Sequence, residues 1–298
     1  MVYNLDIIFL KYNLENMMQK NDWLFDYKQD VYSQRGEDGI IKKIFEIIGA
    51  ENKYCVEFGA WDGKYKSNAH NLIKNEQWSG VCIEANRSRY KDLLATYKGN
   101  NKVININKLV DFTGENTLDN ILSLTDIPIN FDLISIDIDG NDYHMWDSLE
   151  KYRPRVVIIE FNPSIPTDIK FIQSKNMLVN QGSSLLAICN LAKKKGYELV
   201  SATILNAFFV RKELFDAFNI ENNSVEEIFK DKKYYTRLFH LYDGTIVLHG
   251  YDKLSWHGII IKNKRIQQLP KYFRIFPENM GKFRLYLFKI YRKIKNSL

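Results

Sequence analysis

Little in this chain could cross-link it or carry it through a bilayer. Its 298 residues include three cysteines, Cys55, Cys82 and Cys189. They are odd in number and lack CxxC spacing, so neither a disulfide framework nor a four-thiolate zinc site is expected. A reducing cytosol is their natural setting. With 15 Gly and 6 Pro the chain is not collagen-like, and at 45% hydrophobic it is too apolar to be disordered. No run reaches about 18 uncharged apolar residues, so no spanning helix is expected. Met1 to Lys20 holds Asp6 and Glu15 and no small-residue cleavage site, and does not read as a signal peptide. Net positive charge is missing from most of the length. Residues 251–298 carry 12 Lys and Arg against Asp252 and Glu278, while the first 250 carry 30 basic and 34 acidic residues, within a net charge of +6. A nucleic-acid partner, which needs a basic face on the folded domain, is therefore not expected.

What is present is an alternation of strands and helices. Residues 1–31 form a preamble rich in aromatics and Asn, read as helical. Ser33 or Asp38 can then cap an apolar helix that Gly49 ends. Strands are expected at 54–58, 80–84, 103–107, 131–137 and 155–160, with helices at 67–75, 88–97, 116–123 and 142–151 between them. Near-continuous apolar strands separated by helices mean a parallel sheet covered on both faces. A polar stretch from Pro166 to Gly182 is too long for an ordinary connection and has the character of a lid. A helix over 183–195 and two strands, 197–202 and 207–210, spaced as an antiparallel pair, complete the pattern. The expected division is a preamble (1–31), a domain (32–220) and an irregular C-terminal extension (221–298).

Ligands of such sheets bind at the carboxyl ends of the strands. The first strand runs into Glu57-Phe58-Gly59-Ala60-Trp61-Asp62-Gly63, and the second ends in Glu84. Glycines in such a turn let the backbone approach a ligand, and an acid ending the second strand can accept from both ribose hydroxyls of an adenine cofactor. A dinucleotide site needs Gly-x-Gly-x-x-Gly, which is absent. S-adenosylmethionine has no phosphate, and suits an acid at Glu57 that would repel one. Asp137, Asp139 and Asp142 form the richest polar cluster, with Glu160 and Asn162 ending the next strand about 5 Å away. Oxygen ligands so placed suit Mg²⁺, with Asp139, Glu160 and Asn162 as the expected set; the competing reading of Asp-Gly-Asn-Asp is an ordinary turn and helix cap.

Four motifs occur in order: Ser33-Gln34-Arg35-Gly36-Glu37-Asp38, the Glu57 turn, Ser135 to Asp142, and Ile159-Glu160-Phe161-Asn162-Pro163. Together with Asn206 to Arg211 they resemble the FkbM-type branch of class I S-adenosylmethionine-dependent methyltransferases, over roughly Tyr32 to Phe218. The resemblance implies a Rossmann-like, doubly wound α/β sheet of seven strands, mostly parallel with the last antiparallel. It implies methyl transfer to a sugar hydroxyl, on a nucleotide-activated sugar or a surface-polysaccharide precursor. By position, Glu57, Gly59 and Gly63 would line the methionine side and Glu84 the ribose, with Asn86 beside it. Lys108 would lie near the adenine, Asp137 under the methyl group, and Gln34 over the cofactor. Trp61 departs from the pattern, because a glycine usually stands there. Asp139 and His144 are the competing general bases, the alternative for His144 being a helix-face histidine bonded to backbone. Metal-dependent O-methyltransferases place acids similarly at the fourth and fifth strand ends.

Two rivals stand beside this reading: a nicotinamide-dependent oxidoreductase, and a non-catalytic scaffold docked to a membrane or a glycan-assembly complex. The tail from Gly281 to Lys295 mixes bulky apolar and basic residues. As a helix it could rest on an anionic membrane surface as a peripheral contact, or pack its apolar face on the domain. The expected location is cytoplasmic.

Overall fold

A computed structural model describes residues 20–297. Most of the preamble, 1–19, lies outside the described residues; Trp23–Tyr27 form a short 3-10 turn. Helix α1 (Glu37–Ile48) follows, with Gly36 in the left-handed conformation at its N-cap position; Ser33 Oγ accepts from the Asp38 N–H in the first turn at 3.1 Å, while Asp38 does not cap the helix. Asp38 turns back instead and accepts from the N–H groups of Val31, Tyr32 and Ser33 at 2.7–2.9 Å.

The alternation then runs β1 (Tyr54–Phe58), α2 (His70–Asn75), β2 (Ser79–Ile83), α3 (Arg87–Thr96), β3 (Val103–Ile106), α4 (Leu118–Leu122), β4 (Leu133–Ile136), α5 (Asp142–Ser148), β5 (Val156–Glu160), α6 (Leu185–Lys194), β6 (Tyr197–Ala202) and β7 (Asn206–Arg211). These strands form one sheet in the order β3-β2-β1-β4-β5-β7-β6. Six run in one direction; β7 is antiparallel to both β5 and β6. Every residue of β4 is buried, as in a strand covered on both faces. The order reverses between β1 and its two neighbours, β2 and β4, which puts the topological switch point where β1 ends.

At the opposite edge, the Asp132 carboxylate accepts from the N–H groups of Glu51, Asn52 and Lys53 and pairs with Arg155 at 2.8 Å. Arg155 also donates to the carbonyls of Ile48 and Gly49, the open end of α1. Both charges are out of water, yet every nitrogen and oxygen of the pair has a partner, Glu51 meeting Arg155 Nε at 3.3 Å, which offsets their desolvation. The pair fastens α1 and β1 to β4 and β5 from below, leaving the carboxyl edge free for chemistry.

The chain divides into two units, the first ending at Asp231 and the second running Lys232–Leu298. The division therefore falls eleven residues beyond position 220, because helix α7 (Val225–Ile228) buries Val225 and Ile228, and Phe229 packs edge to face on Phe161. The second unit holds the hairpin β8 (Thr236–His240) and β9 (Ile246–Gly250), the short pair β10 (Lys253–Leu254) and β11 (Ile259–Ile260), and helix α8 (Lys282–Lys295). No residue of α8 is buried: Phe288 and Tyr291 meet Phe273, while Phe283, Tyr286, Ile290 and Ile294 are exposed. Among the described residues no helix is long and apolar enough to cross a membrane.

Candidate active site

The carboxyl ends of β1, β2, β4 and β5 bring most of the expected residues together. Glu57, the fourth residue of β1, is buried. Its Oε2 accepts from Ser67 Oγ at 2.5 Å and its Oε1 from the Asn68 N–H at 2.7 Å. Asn68 is itself tied to Ser135 of β4 at 3.0 Å. Ser67 and Asn68 were not singled out from the sequence, since nothing short of the fold shows that a loop ten residues on returns to its strand.

The turn after β1 is set by close approach. Gly59 has φ +77, and a Cβ there would lie 1.9 Å from the Asp137 carbonyl oxygen. Trp61 occupies the left-handed region (φ 49) that a glycine would fill more easily. Its N–H donates to Glu84 Oε2 at 2.8 Å, and the Arg89 guanidinium stacks on its ring at 3.7 Å. So the departure from glycine does not break the turn; the indole leaves it for the surface. Glu84 is also buried, and its Oε1 accepts from the Asn86 N–H at 2.7 Å. Each of its oxygens keeps a lone pair for a ligand. Asn86 itself is the N-cap of α3, with Oδ1 accepting from Ser88 and Arg89. Lys108 lies half-buried in the loop after β3.

At the ends of β4 and β5, ligand atoms of Asp137, Asp139 and Glu160 lie within 4.8 Å of one another. Asn162, expected among them, is engaged elsewhere. Its Oδ1 accepts from Ser164 N–H at 3.0 Å and Ser164 Oγ at 2.6 Å, and its Nδ2 donates to the Gln181 carbonyl. With both lone pairs of the amide oxygen in use, it is a turn residue, and Asp137 takes its place in the trio. Asp142, the fourth acid nearby, folds back on the N–H groups of Ile138 and Gly140.

His144 is also redirected. Its Nε2 lies 2.8 Å from the Gln173 carbonyl oxygen. A carbonyl only accepts, so Nε2 carries the proton; this is the backbone-bonded histidine of the alternative reading rather than the general base. Gln173 is the hub of the polar 167–182 stretch, which forms no helix or strand. Its buried amide donates to Asn141 Oδ1 and the Val179 carbonyl and accepts from the N–H groups of Gln181 and Gly182. Asn180 adds a bond to the Asp139 carbonyl at 3.0 Å. The stretch is thereby closed over the turn that carries Asp139.

Glu37 was quoted only within a motif, yet it is fully buried. It accepts from the N–H groups of Gln34 and Arg35 on one side and from Thr203 Oγ1 and Asn206 Nδ2 on the other. Asn206 pairs with Glu160 across β5 and β7, so Glu37 carries the half-buried Gln34 and its neighbours to the carboxyl edge.

The edge is electrostatically loaded. Burial pushes the Glu57 carboxyl up to about 7, against the pull of Ser67 and Asn68. Burial, then the charges of Asp139 and Glu37, push Asp137 up to about 6. Burial and the charge of Asp137 push Asp142 up to about 7, and Glu160 is raised well above its ordinary range for the same reasons. These groups bind protons more tightly folded than unfolded. Each contributes stability that is fully present below about pH 4 and is lost as pH rises, for Asp137, Glu57 and Asp142 through about 6 to 7. We expect the thermal midpoint of the empty protein to decline less steeply from pH 5 to pH 8 in Glu57→Gln than in the wild type. Fluorimetry across that range measures the difference, and parallel slopes would remove Glu57 from the titrating set.

The strand order and the single reversed β7 are those of the class I methyltransferase fold. No family model matches the sequence, and no curated protein matches it. Among solved structures the chain is similar to a SAM-dependent methyltransferase from Aquifex aeolicus, at 11% identity over 57% of this chain and 87% of that one, with a TM-score of 0.34. It is also similar to M. jannaschii TYW2 in complex with AdoMet, at 19% identity over 61% and 79% of the two chains and a TM-score of 0.33. A third is the N-terminal domain of EvdMO1 with SAH bound, at 12% identity over 60% and 80% and a TM-score of 0.39. Likeness at this level is likeness of fold alone.

Proposed function

We propose that this protein is an S-adenosylmethionine-dependent O-methyltransferase of the FkbM type, acting on a sugar hydroxyl of a nucleotide-activated sugar or a surface-polysaccharide precursor. The observation that carries the reading is the pair of buried carboxylates, Glu57 and Glu84, on either side of a turn that Gly59 brings against the β4 backbone. S-adenosylmethionine supplies a methyl group on a cationic sulfonium to an oxygen nucleophile. An edge bearing Glu57, Asp137, Asp139 and Glu160 attracts such a cation and repels the pyrophosphate of a dinucleotide.

In this reading Glu84 accepts from the ribose hydroxyls and Glu57 orients the amino end through its ordered carboxylate. Gln34 and Lys108 flank the nucleoside. Asp139, exposed at the rim, takes the hydroxyl proton onto its carboxylate. The closed 167–182 stretch holds the acceptor and limits water. Asp137, Asp139 and Glu160 also fit a hard divalent cation such as Mg²⁺, since three carboxylates this close repel one another and gain from a positive charge. There it would orient a hydroxyl and lower its pKa. A neutral polyol suits this rim of carboxylates and amides.

Isothermal titration of the full chain with S-adenosylhomocysteine tests the reading. One molecule should bind per chain, with NADH producing no heat. The reverse result would replace methyl transfer by hydride transfer.

A further inference from the structure

A second cavity, independent of the reading above, lies between α2 and the turn that joins α3 to β3. It is open to solvent and has a volume of about 600 Å³, and Lys64, His70, Lys74, Tyr97, Lys98 and Lys102 are among its lining residues. None of the four lysines makes an ion pair among the described residues. Lys102 Nζ donates to the Gln77 carbonyl at 3.0 Å and retains two protons for a ligand.

The wall of this cavity contains an unfinished hydrogen-bond chain. Tyr97 Oη donates to the Gly63 carbonyl at 2.8 Å. Its single proton is then used, so the 3.0 Å contact between Tyr97 Oη and His70 Nδ1 must be a bond from Nδ1–H to the phenol oxygen. Nε2 of the same ring is buried and has no partner, although His70 is only 4% exposed. A buried polar atom without a partner is rare and costly in a native fold. Burial and the nearby charges of Lys74 and Lys64 lower the proton affinity of the ring, while Asp62 and the Gly63 carbonyl oppose them. Tyr32 packs edge-on against the ring. An anion among the lysines would satisfy both deficits, screening the ammonium groups and accepting from a newly protonated Nε2.

We propose that this cavity binds a small phosphate-bearing molecule, its phosphates held by Lys64, Lys74, Lys98 and Lys102 and by His70 Nε2. Four uncompensated cations match the charge of about two phosphates. A cavity of this volume takes one small molecule, whereas a polyanionic strand needs a continuous basic groove. Through Tyr97 the site also holds Gly63, the last glycine of the turn after β1.

The test uses the full chain and inorganic pyrophosphate at pH 7 in isothermal titration. One site is expected, weakened at least tenfold in the Lys74→Gln/Lys98→Gln double variant, whose side chains are exposed and whose fold should be unaffected. A Lys289→Gln/Lys293→Gln control in α8 should bind as the wild type does. In ¹⁵N spectra the His70 ring should shift toward imidazolium as pyrophosphate is added. Flotation with phosphatidic-acid vesicles distinguishes a lipid headgroup from a free ligand, and the Lys74→Gln/Lys98→Gln protein should float no less than the wild type. The proposal is overturned if millimolar pyrophosphate gives no heat, if the α8 control weakens binding equally, or if the His70 ring does not respond. It is also overturned if vesicle binding depends on Lys74 and Lys98 and resists excess pyrophosphate.

Discussion

Glu84→Ala should weaken S-adenosylhomocysteine binding by at least a hundredfold while leaving a folded protein. The carboxylate at the end of β2 is buried and already ordered by two backbone donors, Trp61 N–H and Asn86 N–H. Order of that kind spares the ligand the cost of fixing the side chain. Two ribose hydroxyls donating to an ionised acceptor contribute roughly 1.5–3 kcal/mol each, and every 1.4 kcal/mol is about tenfold in affinity. The same substitution strands the Trp61 N–H in a residue that already sits at positive φ, which should cost about 1–3 kcal/mol of folding stability. Glu84→Gln keeps one acceptor and should fall between the two. Titration calorimetry with urea denaturation separates the effects. Wild-type affinity in Glu84→Ala would take the ribose away from β2 and with it the proposed cofactor site.

How far the sequence could be read depended on whether the signal was local. The first five strands are short, mostly apolar runs, from Val-Ile-Asn-Ile in β3 to Val-Val-Ile-Ile in β5, and their length and spacing between helices point to one structure. Glu57 and Glu84 were legible because an acid ending such a run has few structural uses. Asn162 was not, because its partners, Ser164 and Gln181, come from the 161–184 loop; for His144 a backbone bond is one of the two readings, but which carbonyl supplies it, that of Gln173, is not readable. A loop without periodicity gives no hint of where it folds back. Glu37 was hidden for a related reason. An acid in the first turn of a helix reads as a partner for the helix dipole, and only the fold shows that Thr203 and Asn206 lie across from it. The cavity lined by His70 and Tyr97 joins residues 27 apart in sequence, and neither belongs to a motif.

The glycines of the β1 turn allow a graded test that does not depend on any ligand. All of Gly59, Gly63 and Gly99 have positive φ, so alanine at each costs about 1–2 kcal/mol from backbone strain alone. At Gly99 an added Cβ meets nothing within 4 Å, and strain should be the whole effect. At Gly63 it meets Leu93 Cδ1 at 2.4 Å and the Tyr97 ring at 2.6 Å. The leucine can change rotamer but the tyrosine is held by its bond to the Gly63 carbonyl, so overpacking should add about 1–3 kcal/mol. At Gly59 the obstacle is the Asp137 carbonyl oxygen at 1.9 Å, a backbone atom at the end of a fully buried strand. No rotamer relieves that contact, and β1 and β4 must part where Glu57, Asp137 and Glu84 converge. Gly59→Ala should therefore lose about 4 kcal/mol or more, near the upper end for a single substitution. Urea midpoints in the order Gly99→Ala, Gly63→Ala, Gly59→Ala, from least to most destabilised, are the expected result. A Gly59→Ala protein as stable as Gly99→Ala would mean that the turn does not lie against β4, and that the two carboxylates do not face one site.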